Sequence, residues 1–216
     1  MTRHSEMNFA DRLSASDLSS SLGKGVIGSR IIVLESTRST NDFLRQMLTP
    51  ELPEGLVIFA EEQTAGRGQR GNRWASAPYL GLWFSILLRP RLRPTESARL
   101  TEWAAQTIAA TVRTEFQLKP AIKPPNDVYL NGRKIAGVLV ETKAGKGDEW
   151  AAIVGIGVNV NQLENDFPAE LREQAGSLAM ALGRRPSRGA FAVALLRQLD
   201  RTWRDLVPVL VVRERA

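Results

Sequence analysis

Three glycines and three arginines fall within eight residues at Gly66-Arg67-Gly68-Gln69-Arg70-Gly71-Asn72-Arg73, and Trp74 follows. Glycine lets a ligand come close to the main chain. Arginine presents a permanently charged fork of donors that fits carboxylate or phosphate oxygens. A loop with both is suited to cradle something small and anionic. Its spacing also matches the G-x-G-x-x-G pattern of dinucleotide-binding loops, which requires a preceding strand, a following helix and an acidic residue about 20 positions on. Residues 56–62 supply the strand. Residues 72–81 contain Pro78 and Gly81 with no helical period, and Arg89, Pro90 and Arg91 stand where the acid is needed. The dinucleotide reading therefore fails, and by itself the loop would pass for a Gly/Arg-rich surface turn.

Three further polar clusters accompany it. Ser39-Thr40-Asn41 offers hydroxyls and an amide, and by itself is also a good helix cap. Lys123-Pro124-Pro125-Asn126-Asp127, with Lys134 across a hairpin, offers two cations and a carboxylate on a proline-stiffened turn. Gly155-Ile156-Gly157-Val158-Asn159-Val160-Asn161 puts two glycines inside an apolar strand, which fits a bulge or the close approach of a backbone or ligand. Together with Gln63, these clusters hold cations, one carboxylate and several amides, with no evident nucleophile. The chain has no cysteine and one histidine, His4. Disulfides, thiolate catalysis and Cys-ligated metals are excluded, and a Ser-His-Asp triad and multi-histidine metal sites are disfavoured. The inventory suits positioning and charge stabilisation of a phosphoryl or adenylyl transfer. Asp127 is the candidate ligand for magnesium, which prefers oxygen donors and substrate phosphates. No P-loop consensus exists, so any ATP is held in another way.

These clusters need elements to hold them. Strands are predicted over 30–35, 56–62, 81–88, a short segment ending at Lys123, another from Asp127, a return strand through 137–142, and 149–160. Asn131-Gly132 signals a two-residue hairpin. Helices are predicted from a Ser39 cap to about Leu48, over 95–116 from apolar spacing, and over 177–182 and 187–206. Several hairpin-like strands with few helices indicate an α+β fold, a mixed, largely antiparallel sheet packed by helices. The 216 residues, 43% hydrophobic and 24% charged, suffice for one large domain. Residues 1–28, rich in Ser, Asp and Gly, are expected to be a flexible N-terminal tail, residues 29–207 the catalytic domain, and 208–216 a short C-terminal tail. No run is long enough to span a membrane and no apolar signal segment opens the chain, so a cytoplasmic location is expected. The net charge of +6 and pI near 10.1 suit phosphate-bearing partners, but the excess is spread along the chain and does not indicate nucleic-acid binding.

Ser39-Thr40-Asn41, residues 62–74, 123–127, 133–141 and 155–161 occur in an order that resembles biotin protein ligase, the monofunctional type without a DNA-binding domain. The resemblance covers about residues 30–165. It implies a class II aminoacyl-tRNA-synthetase-like biotin–lipoate ligase catalytic domain. It also implies a two-step reaction, formation of biotinyl-5′-AMP from biotin and ATP, then transfer to a lysine of a biotin carboxyl carrier domain. By resemblance, Ser39, Thr40, Asn41, Gln63 and Gly137 line the biotin pocket, and Arg67, Gly68 and Gln69 wrap biotin and the phosphate. Lys134 contacts the biotin carboxylate and the adenylate, and Lys123, Asn126 and Asp127 serve the phosphate and Mg2+ side. Trp74 and Asn159 serve the adenosine, with Arg70 near the phosphates. ATP is a co-substrate, no tightly bound prosthetic group is expected, and a homodimer through sheet edges is implied by family resemblance alone.

The chain departs from the family pattern in two residues, Gln69 where Arg is common and Pro124 where Trp is common. Loss of the cation at Gln69 is expected to weaken retention of the adenylate. The N-terminal tail is expected to be too short for a helix-turn-helix module, and an SH3-like barrel is expected to be absent after residue 207. A lipoate or octanoyl ligase of the same superfamily, a catalytically weak biotin-binding protein and a basic nucleic-acid-binding module are the competing readings. The Gly-Arg-Gly loop and the Lys-x-Pro-Asn-Asp pattern favour biotin.

Overall fold

The computed structural model describes residues 11–90, 93–144 and 150–212. The chain runs α1 (Ala15–Leu22), β1 (Arg30–Thr37), α2 (Thr40–Met47), β2 (Leu56–Gln63), β3 (Gly81–Leu88), α3 (Ala98–Phe116), β4 (Ala121–Lys123), β5 (Asp127–Leu130), β6 (Arg133–Ala144), β7 (Trp150–Asn159), α4 (Leu178–Leu182) and α5 (Arg188–Val212). The strands form one seven-stranded sheet in the order β1-β2-β3-β7-β6-β5-β4. β1 and β2 pair in parallel, joined by α2 as the crossover such a pair needs. Every other pairing is antiparallel, so the expected α+β architecture holds.

Strand alternation divides the core between the two faces. Val57, Phe59, Leu82, Phe84, Ile86 and Leu88 point to one face and pack with Ile108 and Val112 of α3 and Leu195, Leu199 and Trp203 of α5. Leu56, Ile58, Leu87, Ala151 and Ile153 point to the other, where Leu44 of α2 covers them. α2 is short and covers only part of that second face. Beyond it the sheet carries Ser85 opposite Gly155, Gly155 opposite Leu139, and Gly137 opposite Gly157. Small residues on adjacent strands leave a depression in the sheet.

Two expectations at the ends are corrected. Within the segment expected to be a flexible tail, residues 15–22 form α1, capped by Ser14, whose Oγ accepts from Asp17 N–H. Leu13, Leu18 and Ile27 are buried in the main core. Three well-spaced apolar side chains secure a segment whose average composition is polar. Residues 1–10 lie outside the described residues. The last helix extends to Val212, so Pro208 does not end it and residues 208–212 are not a tail. Residues 213–216 lie outside the described residues. The helix expected over 95–116 begins at Ala98, after a 3-10 turn over Pro94–Glu96. The hairpin signal is borne out, with Asn131 at φ 50° and Gly132 at φ 76° between β5 and β6.

Candidate active site

The depression becomes a cleft because three segments rise around it. The first is the start of α2. Ser39 is its N-cap, with Oγ accepting from Asp42 N–H at 3.5 Å. Thr40 and Asn41 follow, both buried. Thr40 N–H donates to Gln63 Oε1 at 2.9 Å, while Gln63 Nε2 donates to Ser76 Oγ at 3.0 Å, which fixes the orientation of the Gln63 amide. Asn41 Nδ2 donates to Glu141 Oε2 at 2.7 Å. Ser85 on the sheet floor lies 2.7 Å from Thr40 Oγ1 and 2.5 Å from Asn41 Oδ1.

The second segment is the glycine–arginine loop. It closes on itself through Trp74 N–H to Gly66 O at 2.9 Å and Gly68 N–H to Asn72 O at 2.7 Å. At its tip only a three-residue 3-10 turn, Gln69–Gly71, forms, which agrees with rejection of the dinucleotide reading. Arg67 Nη2 reaches Asp42 Oδ1 at 2.7 Å and Glu141 Oε2 at 2.9 Å, so the loop is tied to α2 and β6. Trp74 returns from the loop into the cleft. A Cβ on Gly157 would lie 2.5 Å from its indole and one on Gly137 would lie 2.9 Å from it, so the glycine floor is the space the ring occupies. Trp83 meets it edge-on at 6.2 Å. The Trp74 indole N–H is buried and has no hydrogen-bond partner among the described residues.

The third segment is the β5–β6 hairpin. Lys134 Nζ is 2.6 Å from Asp127 Oδ1 and 5.3 Å from the centre of the Trp74 ring. Pairing with the carboxylate and the ring face holds the ammonium at the cleft edge. Asn126 and Val138 exchange backbone contact through Val138 N–H to Asn126 O at 3.1 Å, and Asn126 Nδ2 donates to Val138 O at 3.3 Å.

Most of the residues singled out from sequence therefore meet here. Ser39, Thr40, Asn41, Gln63, Arg67, Gly68, Gln69, Trp74, Asn126, Lys134 and Gly137 all line the cleft. Asp127 stands just behind it through Lys134. Lys123 is exposed on the edge strand, 6.0 Å from the Tyr129 ring, and Arg70 sits at the loop tip with φ 57°. Asn159 is not a lining residue. It is buried, and its Nδ2 donates to Gly176 O at 2.9 Å and Lys134 O at 3.4 Å, while Oδ1 accepts from Gln162. Its amide pins the backbone of Lys134 in place of facing the cleft. The sequence reading missed Ser85, Ser76, Asp42 and Glu141. A lone serine in an otherwise apolar strand was the signal for the first, because a buried hydroxyl needs a partner.

A sequence model of the biotin/lipoate A/B protein ligase family matches residues 33–159. The chain belongs to that family. Within it, the chain is 32% identical over 203 residues to the biotin–[acetyl-CoA-carboxylase] ligase of Mycobacterium tuberculosis, covering 90% of this chain and 73% of that one. It is 34% identical over 194 residues to the bifunctional ligase/repressor BirA of Bacillus subtilis, covering 90% of this chain and 60% of that one. It thus spans about three-fifths of the length of the Bacillus relative. Among solved structures, the biotin protein ligase from Aquifex aeolicus in complex with biotin and ATP superposes with a TM-score of 0.71 at 30% identity, over 83% of this chain and 72% of that one. The biotin protein ligase from Leishmania major in complex with biotinyl-5-AMP gives 0.64 at 25% identity, over 86% and 79%.

Proposed function

We propose that the protein is an ATP-dependent biotin–protein ligase. The observation that carries this reading is the convergence of Ser39-Thr40-Asn41, Gln63, the glycine–arginine loop and Lys134 on one cleft. The names of its relatives and the bound molecules of its structural neighbours point the same way. A carboxylate is a poor acyl donor until its oxygen carries a good leaving group. In the first step a biotin carboxylate oxygen attacks the α-phosphorus of ATP, the bond to the bridging oxygen breaks, and pyrophosphate leaves with that electron pair. In the second, the neutral amine of a carrier lysine attacks the acyl carbon of biotinyl-5′-AMP. AMP departs and the nitrogen loses a proton as the amide forms.

The first step brings two anions together, so its barrier is dominated by charge. Lys134 and Arg67 are the cations that line the cleft, while Arg70 is at the tip of the loop and Lys123 on the exposed edge strand β4. Asp127 and Asn159 act on Lys134, one through its ammonium and one through its backbone. The glycines at 66 and 68 let the main chain come near the ligand. Among the described residues no three His, Asp or Glu side chains form a metal site. Asp127 offers a single carboxylate, which fits a magnesium ion that is carried mainly by ATP phosphates. Bound there, the ion would neutralise part of the phosphate charge.

The acceptor is proposed to be a biotin carboxyl carrier domain and the location the cytoplasm. No helix of the described residues is long and apolar enough to cross a membrane. The family also includes lipoate ligases, which makes lipoate the competing substrate. Incubation with biotin and magnesium–ATP should release pyrophosphate and then label an added carrier domain. Adenylation of lipoate with none of biotin would overturn the reading.

A further inference from the structure

Ser85 is the one polar residue in the fully buried strand β3, and it touches the two side chains that open α2. Counting protons around it fixes which way each hydroxyl points. Asn41 Nδ2 donates to Glu141 Oε2 at 2.7 Å, so its Oδ1 is the atom 2.5 Å from Ser85 Oγ. That oxygen has no proton to give, and Ser85 must donate to it. The single Ser85 proton is then used. Thr40 Oγ1 lies 2.7 Å from Ser85 Oγ, too close for two oxygens that face each other with lone pairs alone, so Thr40 donates to Ser85. The longer 3.2 Å contact from Thr40 Oγ1 to Gln63 Oε1 tolerates the absence of a proton, and Gln63 Oε1 already accepts from Thr40 N–H.

We infer that Ser85 is a specificity-determining positioning residue, one that makes the Thr40 hydroxyl a hydrogen-bond acceptor toward the cleft and so selects a ligand ring that presents an N–H. The inference rests on the reading of the cleft as a biotin site, because the cyclic urea of biotin has two N–H groups. The dithiolane ring of lipoate has none, and an acceptor facing it stays unpaired. A site built around a substrate N–H rejects a ring that lacks it far more strongly than a site that differs only in size. The direction of the relay is set three residues deep, by Glu141 through Asn41 and Ser85. Gly155 makes room for it, since a Cβ there would lie 2.4 Å from Asn41 Oδ1.

The test uses biotin and its two carbamate analogues, in each of which a ring oxygen replaces one ureido N–H without change of shape. Pyrophosphate release gives kcat/KM for each. The wild-type protein should prefer biotin to the more disfavoured analogue by roughly a hundredfold or more. In Ser85→Ala the Thr40 proton is released from Ser85 and is shared between Gln63 Oε1, 3.2 Å away, and the ring oxygen of the analogue. That preference should fall by roughly tenfold, mostly through KM. Ser85→Thr, which keeps the hydroxyl, should retain the preference. Each ratio is measured within one variant, so partial loss of folded protein cancels. An unchanged ratio in Ser85→Ala would overturn the relay while leaving the ligase reading intact. Absence of biotin adenylation by the wild-type protein would overturn the ligase reading itself.

Discussion

Gly137 and Gly157 face each other across β6 and β7, and the indole of Trp74 lies on both. Gly157 was legible from sequence, where it and Gly155 inside an apolar strand signalled a close approach, whereas Gly137 was singled out only by resemblance. What approaches could not be read, because Trp74 comes from a loop more than 60 residues away. Substitution of Gly157 by Ala would put a methyl 2.5 Å from the ring. We expect the exposed loop to shift, so stability should change by less than about 1 kcal/mol while KM for biotin rises roughly tenfold or more; thermal unfolding and steady-state kinetics separate the two. Gln69 lines the same cleft as an uncharged residue. Introducing a cation there with Gln69→Arg should slow escape of the adenylate, by about tenfold if one charge-assisted hydrogen bond forms. Release chased with unlabelled biotin and ATP measures it. Asn159 is the residue at which resemblance and geometry part. Its amide contacts are with backbone carbonyls that come from elements distant in sequence, and no local pattern discloses them.

Elements with a strong period were legible almost to the residue. The apolar run of β3 and the Asn131-Gly132 turn follow from local chemistry alone. α1 was not legible, because its stability comes from Leu18 and the flanking Leu13 reaching a core built by distant strands. Tertiary contacts also govern the connection between α2 and β2. Arg89 Nη2 donates to Thr49 O at 2.8 Å, Pro50 O at 3.1 Å and Leu52 O at 3.1 Å, and its backbone N–H donates to Glu54 Oε1 at 2.9 Å. Burial raises the Glu54 carboxyl above its ordinary pKa, and the Arg89 backbone N–H and guanidinium oppose the rise. With the folded-state value above the unfolded one, protonation favours the fold. This contribution is complete below the unfolded value and is lost as pH rises through the folded one. Relative to Glu54→Gln, the wild-type melting temperature should therefore decline as pH rises above the ordinary glutamate range. A pH-independent difference would remove burial of the charge as the cause.

On the scale of the whole molecule, one buried guanidinium joins four parts of the chain. Arg188, at the start of α5, is fully buried and reaches Glu61 Oε2 on β2 at 2.6 Å, Gly81 O at the start of β3 at 3.1 Å, and Asp11 Oδ2 at 3.3 Å. Glu61 Oε1 in turn accepts from Leu13 N–H at 2.7 Å. Removing one member of a buried pair leaves the other charged and without compensation, at a cost of about 3–5 kcal/mol. Arg188→Ala should lower the melting temperature by roughly 10 °C or more, and it should loosen the N-terminal segment first. Protease cleavage near residue 14 at temperatures where the wild type resists would report that order. The sequence places these residues up to 177 positions apart, which is why no motif contains them.

Trp74, carried by the loop, stands 5.3 Å from Lys134 Nζ on β6 and 6.2 Å from the Trp83 ring on β3, and its backbone N–H donates to Gly66 O. Indole emission responds to a neighbouring ammonium and to the polarity around it. The lid over the cleft thus carries an optical gauge of its own position, with no label required. Loading of the cleft should alter tryptophan emission in the wild-type protein and leave it nearly constant in Trp74→Phe, which turns occupancy into a signal that can be followed in real time.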